Sequence, residues 1–197
     1  MLLSAQNISK SFGGLKALQG ISFGIETGQI FGLIGPNGAG KTTLFNCLTG
    51  AYKASYGHFS YNNADITGFS EVKIAKNGIS RTFQNIRLFK EMTALENVMV
   101  GRHGRSRAGL WGAISRSKKT RTEEREICQK ALTLLDYAGL AGSGPILAKN
   151  LPYGHQRRLE IARALAAEPG LLCLDEPAAG MNEEETAELI EDVRGSR

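Results

Sequence analysis

The chain has 197 residues, a length that suits one domain or one domain with a subdomain. Its 42% hydrophobic and 22% charged residues exclude the disordered and collagen-like classes. The three cysteines lie far apart and form no C-x-x-C pair, which argues against a disulfide framework or a zinc cluster and suits a reducing cytosol. The first residues lack a signal-peptide pattern, and no apolar run approaches the roughly eighteen residues of a membrane span. We therefore expect a soluble protein, which can still dock on a membrane complex.

The net charge of +5 is concentrated in one segment. Residues 97–122 contain no acidic residue and seven basic ones: Arg102, Arg105, Arg107, Arg116, Lys118, Lys119 and Arg121. The basic pI of about 9.2 is therefore a property of this segment. A high pI of this origin is a weak indication of nucleic-acid binding.

The first third of the chain reads as short strands around a turn. Apolar positions predict strands at Leu2–Ile8 and Leu18–Ile25, separated by the turn signal Gly13-Gly14. The apolar run Ile30–Ile34 predicts a strand buried on both faces, ending in a glycine-rich turn.

Helices dominate the region between about residues 90 and 168. Periodicity and start signals predict helices at 71–77, 122–138 and 156–167, besides one that starts at residues 41–49 and a last one over 183–193. Gly57–Asp65 is predicted to return to the sheet, and Leu171–Leu174 is a second fully apolar run. The pattern indicates an α/β core with a helical insertion.

A glycine-rich loop is the most specific motif of the chain. It matches G-x-x-x-x-G-K-[ST] over Gly35, Pro36, Asn37, Gly38, Ala39, Gly40, Lys41 and Thr42. Glycines let several backbone N–H groups point at one anion, and the helix that follows adds the positive end of its dipole. Lys41 would reach the β- and γ-phosphates, and the Thr42 hydroxyl would bind Mg²⁺. The loop therefore predicts binding of a nucleoside triphosphate.

Two acids follow the second apolar run. Asp175 and Glu176 come directly after Leu171–Leu174, where folds of this type place a carboxylate beside Mg²⁺. We expect Asp175 to belong to the Mg²⁺ shell and Glu176 to polarise the attacking water.

With these two motifs, the chain resembles the ATPase subunits of ATP-binding cassette (ABC) transporters. Phe12 lies where that family has an aromatic residue that stacks on adenine, and Gln84 lies at its glutamine-loop position. Leu151–Leu165 resembles the family signature and the helix after it, and Ala178–Asn182 resembles the loop after the catalytic acid. The resemblance implies a P-loop NTPase (RecA-like) core of the α/β class, with a helical subdomain and a small antiparallel β subdomain.

The resemblance also implies domain boundaries. The ABC ATPase domain would cover residues 1–197 and be incomplete at its C-terminal end. Core and antiparallel sheet would comprise about residues 1–85 and 168–197, and the helical subdomain about residues 86–167.

The resemblance further implies roles and partners. Gln84 would contact Mg²⁺ and the attacking water, Thr43 would make a second phosphate contact, and Tyr153, Gly154 and His155 would face the ATP of a second ATPase subunit. That subunit could be identical or different. Both would work with transmembrane permease subunits, and indirectly with a solute-binding protein, at the cytoplasmic face of the membrane.

Within the family, the chain is most similar to ATPases of bacterial branched-chain amino-acid importers. Arg81–Phe89, Gln156–Arg163 and Asp175–Gly180 carry this similarity, together with the extra basic stretch after Glu96–Val98. ATP-driven import of branched-chain or related amino acids is therefore the expected function. Three alternatives stay open: another ABC system such as a lipopolysaccharide exporter or a urea or amide importer, a soluble ABC ATPase of DNA repair or translation, and a non-catalytic nucleotide-binding module.

The sequence departs from the family pattern in two places. Pro152 replaces the signature serine, so the hydroxyl that would bind the partner's γ-phosphate is absent, although proline suits a helix start. The family also has a histidine about thirty residues after the catalytic acid, and His58, His103 and His155 do not occupy that site. We expect a weaker contact in trans and poor hydrolysis by this chain alone.

The basic stretch 101–121 allows three interpretations. It could contact anionic lipid headgroups, contact an acidic surface of the membrane subunits, or be a solvated insertion. It lacks the interleaved aromatic residues typical of nucleic-acid binding, so no nucleic-acid partner is expected.

Overall fold

The computed structural model describes residues 1–103 and 118–179. The chain divides into two compact units, Met1–Ile79 and Ser80–Arg197. No helix in the described ranges has the length and apolarity needed to span a lipid bilayer. The predicted helix over 183–193 and most of the basic stretch 101–121 lie outside the described residues. The assignment of residues 168–197 to the same core as residues 1–85 stays a prediction.

The first unit is an antiparallel sheet with two helices. Its elements are β1 (Leu3–Phe12), β2 (Leu15–Ile25), α1 (Lys41–Leu48), β3 (Tyr56–Tyr61), β4 (Ala64–Asp65) and α2 (Glu71–Lys76). The strand order is β2-β1-β3-β4, and all neighbours are antiparallel. The predicted hairpin, the start of the helix at residue 41 and the return to the sheet after Gly57 are confirmed.

A bulge in β1 explains the mixed spacing of its apolar residues. Leu3 and Ala5 are buried, and the next buried residue is Ile8, so the alternation changes phase between them. Asn7 adopts φ 52°, and the pairing of β1 with both neighbouring strands shifts register at this point. One extra residue in a strand has this effect, because it moves every later side chain to the other face.

Gly57 of β3 lies against the bulge. It adopts φ 84°, and a Cβ there would overlap the backbone carbonyl oxygens of Gln6 and Asn7. We expect Gly57→Ala to lower the free energy of unfolding by roughly 1–3 kcal/mol through left-handed backbone strain, and further through this overlap. Gly14→Ala is the matched control, since Gly14 has no positive φ and a Cβ added there would meet no atom within 4 Å. Denaturant titration of both variants checks this, and equal stability would contradict the role given to the bulge.

The prediction for Ile30–Ile34 is wrong. These residues form no strand in the structure, and Ile34 is 94% exposed. Phe31 stacks on Phe23 of β2, with ring centroids 5.2 Å apart. An apolar run indicates that its residues prefer to be buried. A strand buried on both faces also needs distant strands to pair with, and the run contains no information about those strands.

The second unit is mainly helical. Its elements are β5 (Ile79–Arg81), α3 (Ala94–His103), α4 (Lys118–Tyr137), a short 3-10 turn (Ala148–Asn150), α5 (Tyr153–Ala166) and β6 (Leu171–Cys173). Strands β5 and β6 pair with each other. The predicted helices at 122–138 and 156–167 are confirmed, and each begins three or four residues earlier than the sequence indicated.

One apolar cluster packs the three described helices of this unit against one another. It joins buried residues of α3, α4, α5 and the turns between them: Ala94, Val98, Ala131, Leu135, Ala138, Leu140, Ala148, Leu151, Leu159, Ala162 and Ala166. Small residues predominate, which lets the helices approach closely. A Cβ on Gly101 of α3, for example, would overlap the backbone carbonyl oxygen of Arg163 in α5.

Polar contacts fix the ends of the helices. Thr93 and Glu96 form a reciprocal capping box at the start of α3, with hydrogen bonds of 2.7 Å from the Thr93 N–H and 3.2 Å from the Glu96 N–H. Glu168, just after α5, accepts hydrogen bonds from Arg102 of α3 and Lys130 of α4. These two cations lower the pKa of Glu168 to about 2, so the carboxylate stays charged at acidic pH values where an ordinary glutamate is protonated.

Candidate active site

The glycine-rich loop forms a cradle at the start of α1. Gly38 and Gly40 adopt φ 82° and 87°, and the Ala39 N–H donates to the Pro36 carbonyl oxygen at 3.2 Å. The first backbone N–H groups of a helix have no acceptor within that helix, and Gly40 at the N-cap has no side chain to cap them. This geometry suits the binding of an anion by backbone N–H groups of the loop and the following turn, which stays a prediction.

Lys41 lies over this cradle. Its Nζ donates to the carbonyl oxygens of Gly35 at 2.6 Å and of Pro36 at 2.9 Å. The ammonium is therefore held at the loop by weak neutral acceptors. Phosphate oxygens are stronger acceptors for the same charge.

The hairpin of β1 and β2 packs against the loop. A Cβ on Gly40 would lie 2.7 Å from the Ala17 carbonyl oxygen and 2.8 Å from Leu18 Cδ2, both on β2. Phe12, at the end of β1, is 43% exposed and packs edge-to-face on Tyr52, with centroids 5.3 Å apart. Lys10 Nζ lies 5.0 Å from the Phe12 ring centroid. The structure thus presents Phe12 on the surface of the unit that carries the loop, beside a second exposed ring that the sequence did not single out.

The two acids after β6 have different surroundings. Asp175 is buried, and its Oδ2 accepts a hydrogen bond of 2.8 Å from Arg81 Nη2 in an ion pair. The Asp175 N–H donates to Thr82 Oγ1 at 3.3 Å, and the Thr82 N–H donates to the Cys173 carbonyl oxygen at 3.0 Å. Glu176 is exposed and adopts φ 48°, an uncommon backbone conformation for a side chain of its size.

Gln84 and Glu176 lie in contact. Gln84 Nε2 donates a hydrogen bond of 3.1 Å to Glu176 Oε2, across 92 residues of sequence. The two residues predicted to be catalytic are therefore brought together in the second unit, next to Asp175.

Two arginines complete this part of the site, and sequence reasoning did not single them out. Arg81 pairs with Asp175, and Arg157 donates to the backbone carbonyl oxygens of Asp175 and Glu176. Both lie in stretches that carry the family similarity, but a buried charge cannot be told from an exposed one by periodicity alone, so their contacts could not be predicted.

The signature residues open α5. Pro152 is the N-cap, Tyr153 is 48% exposed, and Gly154 is buried in the first turn. The Gln156 N–H donates to the Pro152 carbonyl oxygen at 2.9 Å. The expectation that Pro152 would suit a helix start is confirmed. The N–H groups of Tyr153, Gly154 and His155 precede this first helical bond and have no acceptor within the helix.

The predicted Mg²⁺ ligands are a hydroxyl, a carboxylate and an amide, those of Thr42, Asp175 and Gln84. Within residues 1–103 and 118–179, no group of three His, Cys, Asp or Glu side chains is arranged to hold a metal ion. Thr42 belongs to the first unit and Asp175 to the second. A hydroxyl and a carboxylate are nonetheless suitable donors for Mg²⁺, which takes most of its other ligands from substrate phosphates and water.

Comparison with known proteins gives a consistent result. Residues 18–179 match the family model for ABC transporters. The chain is 44% identical over 190 residues to the high-affinity branched-chain amino acid transport ATP-binding protein LivG of Salmonella typhimurium, covering 96% of this chain and 74% of that protein. BraF of Pseudomonas aeruginosa, which has the same description, is 44% identical over 188 residues, with 95% and 74% covered.

A solved structure supports the same assignment. The ADP conformation of MJ1267, an ATP-binding cassette of an ABC transporter, superposes with a TM-score of 0.83 at 35% sequence identity, covering 98% of this chain and 76% of that one. The predicted fold class, a P-loop NTPase cassette with a small antiparallel sheet, is therefore confirmed. The chain belongs to the ABC transporter family, as an ATP-binding and ATP-hydrolysing subunit.

Proposed function

We propose that this subunit powers the import of branched-chain or closely related amino acids. Two relatives at 44% identity are branched-chain amino acid transport proteins by name, and both align along nearly the whole chain. The contact between Gln84 and Glu176 beside Asp175 is the observation that carries the catalytic part of the proposal.

The first unit would bind the substrate. Lys41 and the backbone N–H groups of residue 35 and residues 37–43 hold the phosphates of ATP, with Thr43 adding a hydroxyl. Phe12 stacks on the adenine, and its partial exposure leaves ring surface for this contact.

The second unit would supply the hydrolytic groups. Glu176 polarises a water molecule for attack on the γ-phosphate, and Gln84 orients both that water and the Glu176 carboxylate. Thr42, Asp175 and Gln84 are the residues that would hold Mg²⁺, which supplies charge neutralisation at the β- and γ-phosphate oxygens. Arg81 keeps the Asp175 carboxylate in one orientation through its 2.8 Å ion pair.

A second ATPase subunit would complete the site. Tyr153, Gly154 and His155 face the ATP bound by that subunit, and the start of α5 contributes N–H groups and its dipole. Permease subunits, and a solute-binding protein acting through them, would be the further partners, with the subunit at the cytoplasmic face of the membrane.

Solute uptake by the host cell tests the transported substrate. Cells that lack the gene, complemented with the wild-type gene or with the Glu176→Gln variant, are compared for uptake of labelled leucine, isoleucine and valine, with labelled urea as a second substrate. Restoration of leucine uptake by the wild type alone is expected. Restoration of urea uptake alone, or of neither, would contradict the proposed solute class.

One observation favours a second candidate function. Pro152 occupies the N-cap of α5, where it offers neither a hydroxyl nor an N–H group to a partner's γ-phosphate. A non-catalytic nucleotide-binding module would be consistent with this substitution. Phosphate release from ATP separates the two, because such a module binds ATP without turnover.

A further inference from the structure

The Arg157 guanidinium makes five hydrogen bonds within the second unit. It lies in α5, one turn after Tyr153, and it is completely buried. A guanidinium has five N–H donors. In this structure they reach five acceptors. Nε donates to the Pro177 carbonyl oxygen at 3.2 Å, and Nη1 donates to the Phe83 carbonyl oxygen and, at 2.8 Å, to Glu160 Oε2. Nη2 donates to the carbonyl oxygens of Asp175 at 2.8 Å and of Glu176 at 2.7 Å.

Glu160 extends these contacts from the next turn of the same helix. It is 1% exposed, and its Oε2 accepts the bond from Arg157. Its other oxygen, Oε1, accepts a hydrogen bond of 3.1 Å from the Arg87 backbone N–H. The pair therefore binds both ends of residues 83–87, the segment that carries Gln84.

The same pair binds the turn that carries the catalytic acid. Three consecutive carbonyl oxygens, those of Asp175, Glu176 and Pro177, accept bonds from Arg157. Glu176 adopts φ 48°, a conformation that persists only where the surroundings impose it. Arg157 supplies such surroundings, because it binds the backbone on both sides of that residue and at the residue itself.

A buried ion pair is a costly way to stabilise a helix packing. Apolar residues of similar volume often serve stability equally well or better. A guanidinium can instead fix several backbone carbonyl oxygens in one plane, which no apolar side chain can do. The pair of Arg157 and Glu160 is thus suited to fix residues 83–87 and residues 175–177 in one position relative to each other.

From these contacts we infer that Arg157 and Glu160 form a clamp that positions Gln84 and Glu176 for ATP hydrolysis. The inference rests on the proposed catalytic roles of Gln84 and Glu176. Arg157 and Glu160 act through those two residues and not on the substrate, so both are positioning residues. Because α5 begins at Tyr153, the clamp also ties the segment that faces a partner's ATP to this subunit's own catalytic acid.

Arg157→Lys tests the clamp most directly. Lysine keeps the charge but has its three donors on one atom. It therefore cannot hydrogen-bond to residues 83–87 and to residues 175–177 at the same time. We expect kcat for ATP to fall about 10- to 100-fold, as for other small misplacements of a catalytic group. The Kd for ATP should stay within about threefold, since the phosphate loop is untouched.

Arg158→Lys is the matched control. Arg158 is the adjacent residue of α5, is also buried, and its Nη1 lies beside Gly139, just after α4. It reports what the loss of a buried guanidinium does to stability alone. We expect this variant to be destabilised without a change in kcat for the folded fraction.

The Gln84 side-chain amide gives a readout that does not depend on turnover. Its ¹⁵N–¹H resonances are assigned by their loss in the spectrum of Gln84→Ala. The spectrum of Glu176→Ala gives their chemical shifts when the hydrogen bond to Glu176 is absent. Arg157→Lys should move them toward the Glu176→Ala position, and Arg158→Lys should leave them in place. If Arg157→Lys does not fold, Glu160→Gln replaces it, since an amide at residue 160 cannot accept from both Arg87 and Arg157 as a carboxylate does.

The outcomes separate the clamp from the proposed function. Unchanged amide resonances in Arg157→Lys or Glu160→Gln, or equal losses of kcat in Arg157→Lys and Arg158→Lys, would overturn the clamp. A wild-type chain that neither binds nor hydrolyses ATP would overturn the proposed function, while the amide resonances would still decide whether the clamp holds Gln84 against Glu176.

Discussion

Glu176→Gln is expected to abolish most ATP hydrolysis while leaving ATP binding intact. The amide oxygen of glutamine can still accept the hydrogen bond from Gln84 Nε2, which spans 3.1 Å in the native chain. Geometry is therefore preserved, and only the negative charge that polarises the attacking water is lost. A fall in kcat of about 100- to 10,000-fold is the usual effect of removing such a group. Phosphate release and ATP titration on the same protein sample measure the two quantities.

Glu71→Gln is the control for this substitution. Glu71 is an exposed acid in the first turn of α2, remote in sequence from both motifs. It should change neither kcat nor the Kd for ATP. If Glu176→Gln hydrolyses ATP as fast as the wild type, the role of Glu176 as the water-polarising group is wrong. A parallel loss of ATP binding would show instead that the residue acts on the nucleotide site as a whole.

Gly40→Ala is expected to weaken ATP binding more than any other glycine replacement in the loop. Gly40 adopts φ 87°, and a Cβ would also lie 2.7 Å from the Ala17 carbonyl oxygen and 2.8 Å from Leu18 Cδ2. The loop must then leave the conformation that aims its N–H groups, and binding must restore it. Backbone strain of roughly 1–3 kcal/mol corresponds to a rise in Kd of about 5- to 150-fold, and the overlap with β2 adds to that.

Two other glycines separate the effect of backbone strain from the effect of overlap with β2. Gly38 has φ 82° but no atom within 4 Å of where a Cβ would lie, so Gly38→Ala should show the backbone strain alone. Gly32 has neither a positive φ nor a close neighbour, so Gly32→Ala should bind ATP like the wild type. The expected order of Kd is therefore Gly40→Ala above Gly38→Ala above Gly32→Ala, measured by titration with ATP. A Gly40→Ala variant no weaker than Gly38→Ala would contradict the close packing of the loop on β2.

Local signals predicted much of this fold. The hairpin with its Gly13-Gly14 turn, the short helix after residue 70 and the two long helices of the second unit all follow from periodicity, turn residues and start signals. Each depends on residues within about twenty positions of one another. The strand predicted at Ile30–Ile34 failed because a strand of that kind exists only through distant partners.

In the site, too, the features that depend on neighbouring residues could be predicted, and those that depend on distant contacts could not. The phosphate loop could be located because its glycines, lysine and threonine are contiguous, and Asp175 and Glu176 because they end an apolar run. Gln84 was placed by resemblance, and the structure adds its contact with Glu176. Arg81 and Arg157 could not be found from the sequence, since their importance lies in burial and in acceptors up to 94 residues away.

The central claim is that the glycine-rich loop binds the nucleotide. Titration of the 197-residue chain and of its Lys41→Ala variant with Mg-ATP tests this claim most directly. Lys76→Ala is the charge-matched control, since Lys76 is an exposed lysine at the end of α2. We predict saturable binding of one ATP by the wild type and by Lys76→Ala. For Lys41→Ala we predict a Kd about 10- to 100-fold higher, which is the loss of one charge-assisted hydrogen bond to phosphate. Equal binding by the wild type and Lys41→Ala, or no binding by the wild type, would contradict the assignment of the nucleotide site to the glycine-rich loop.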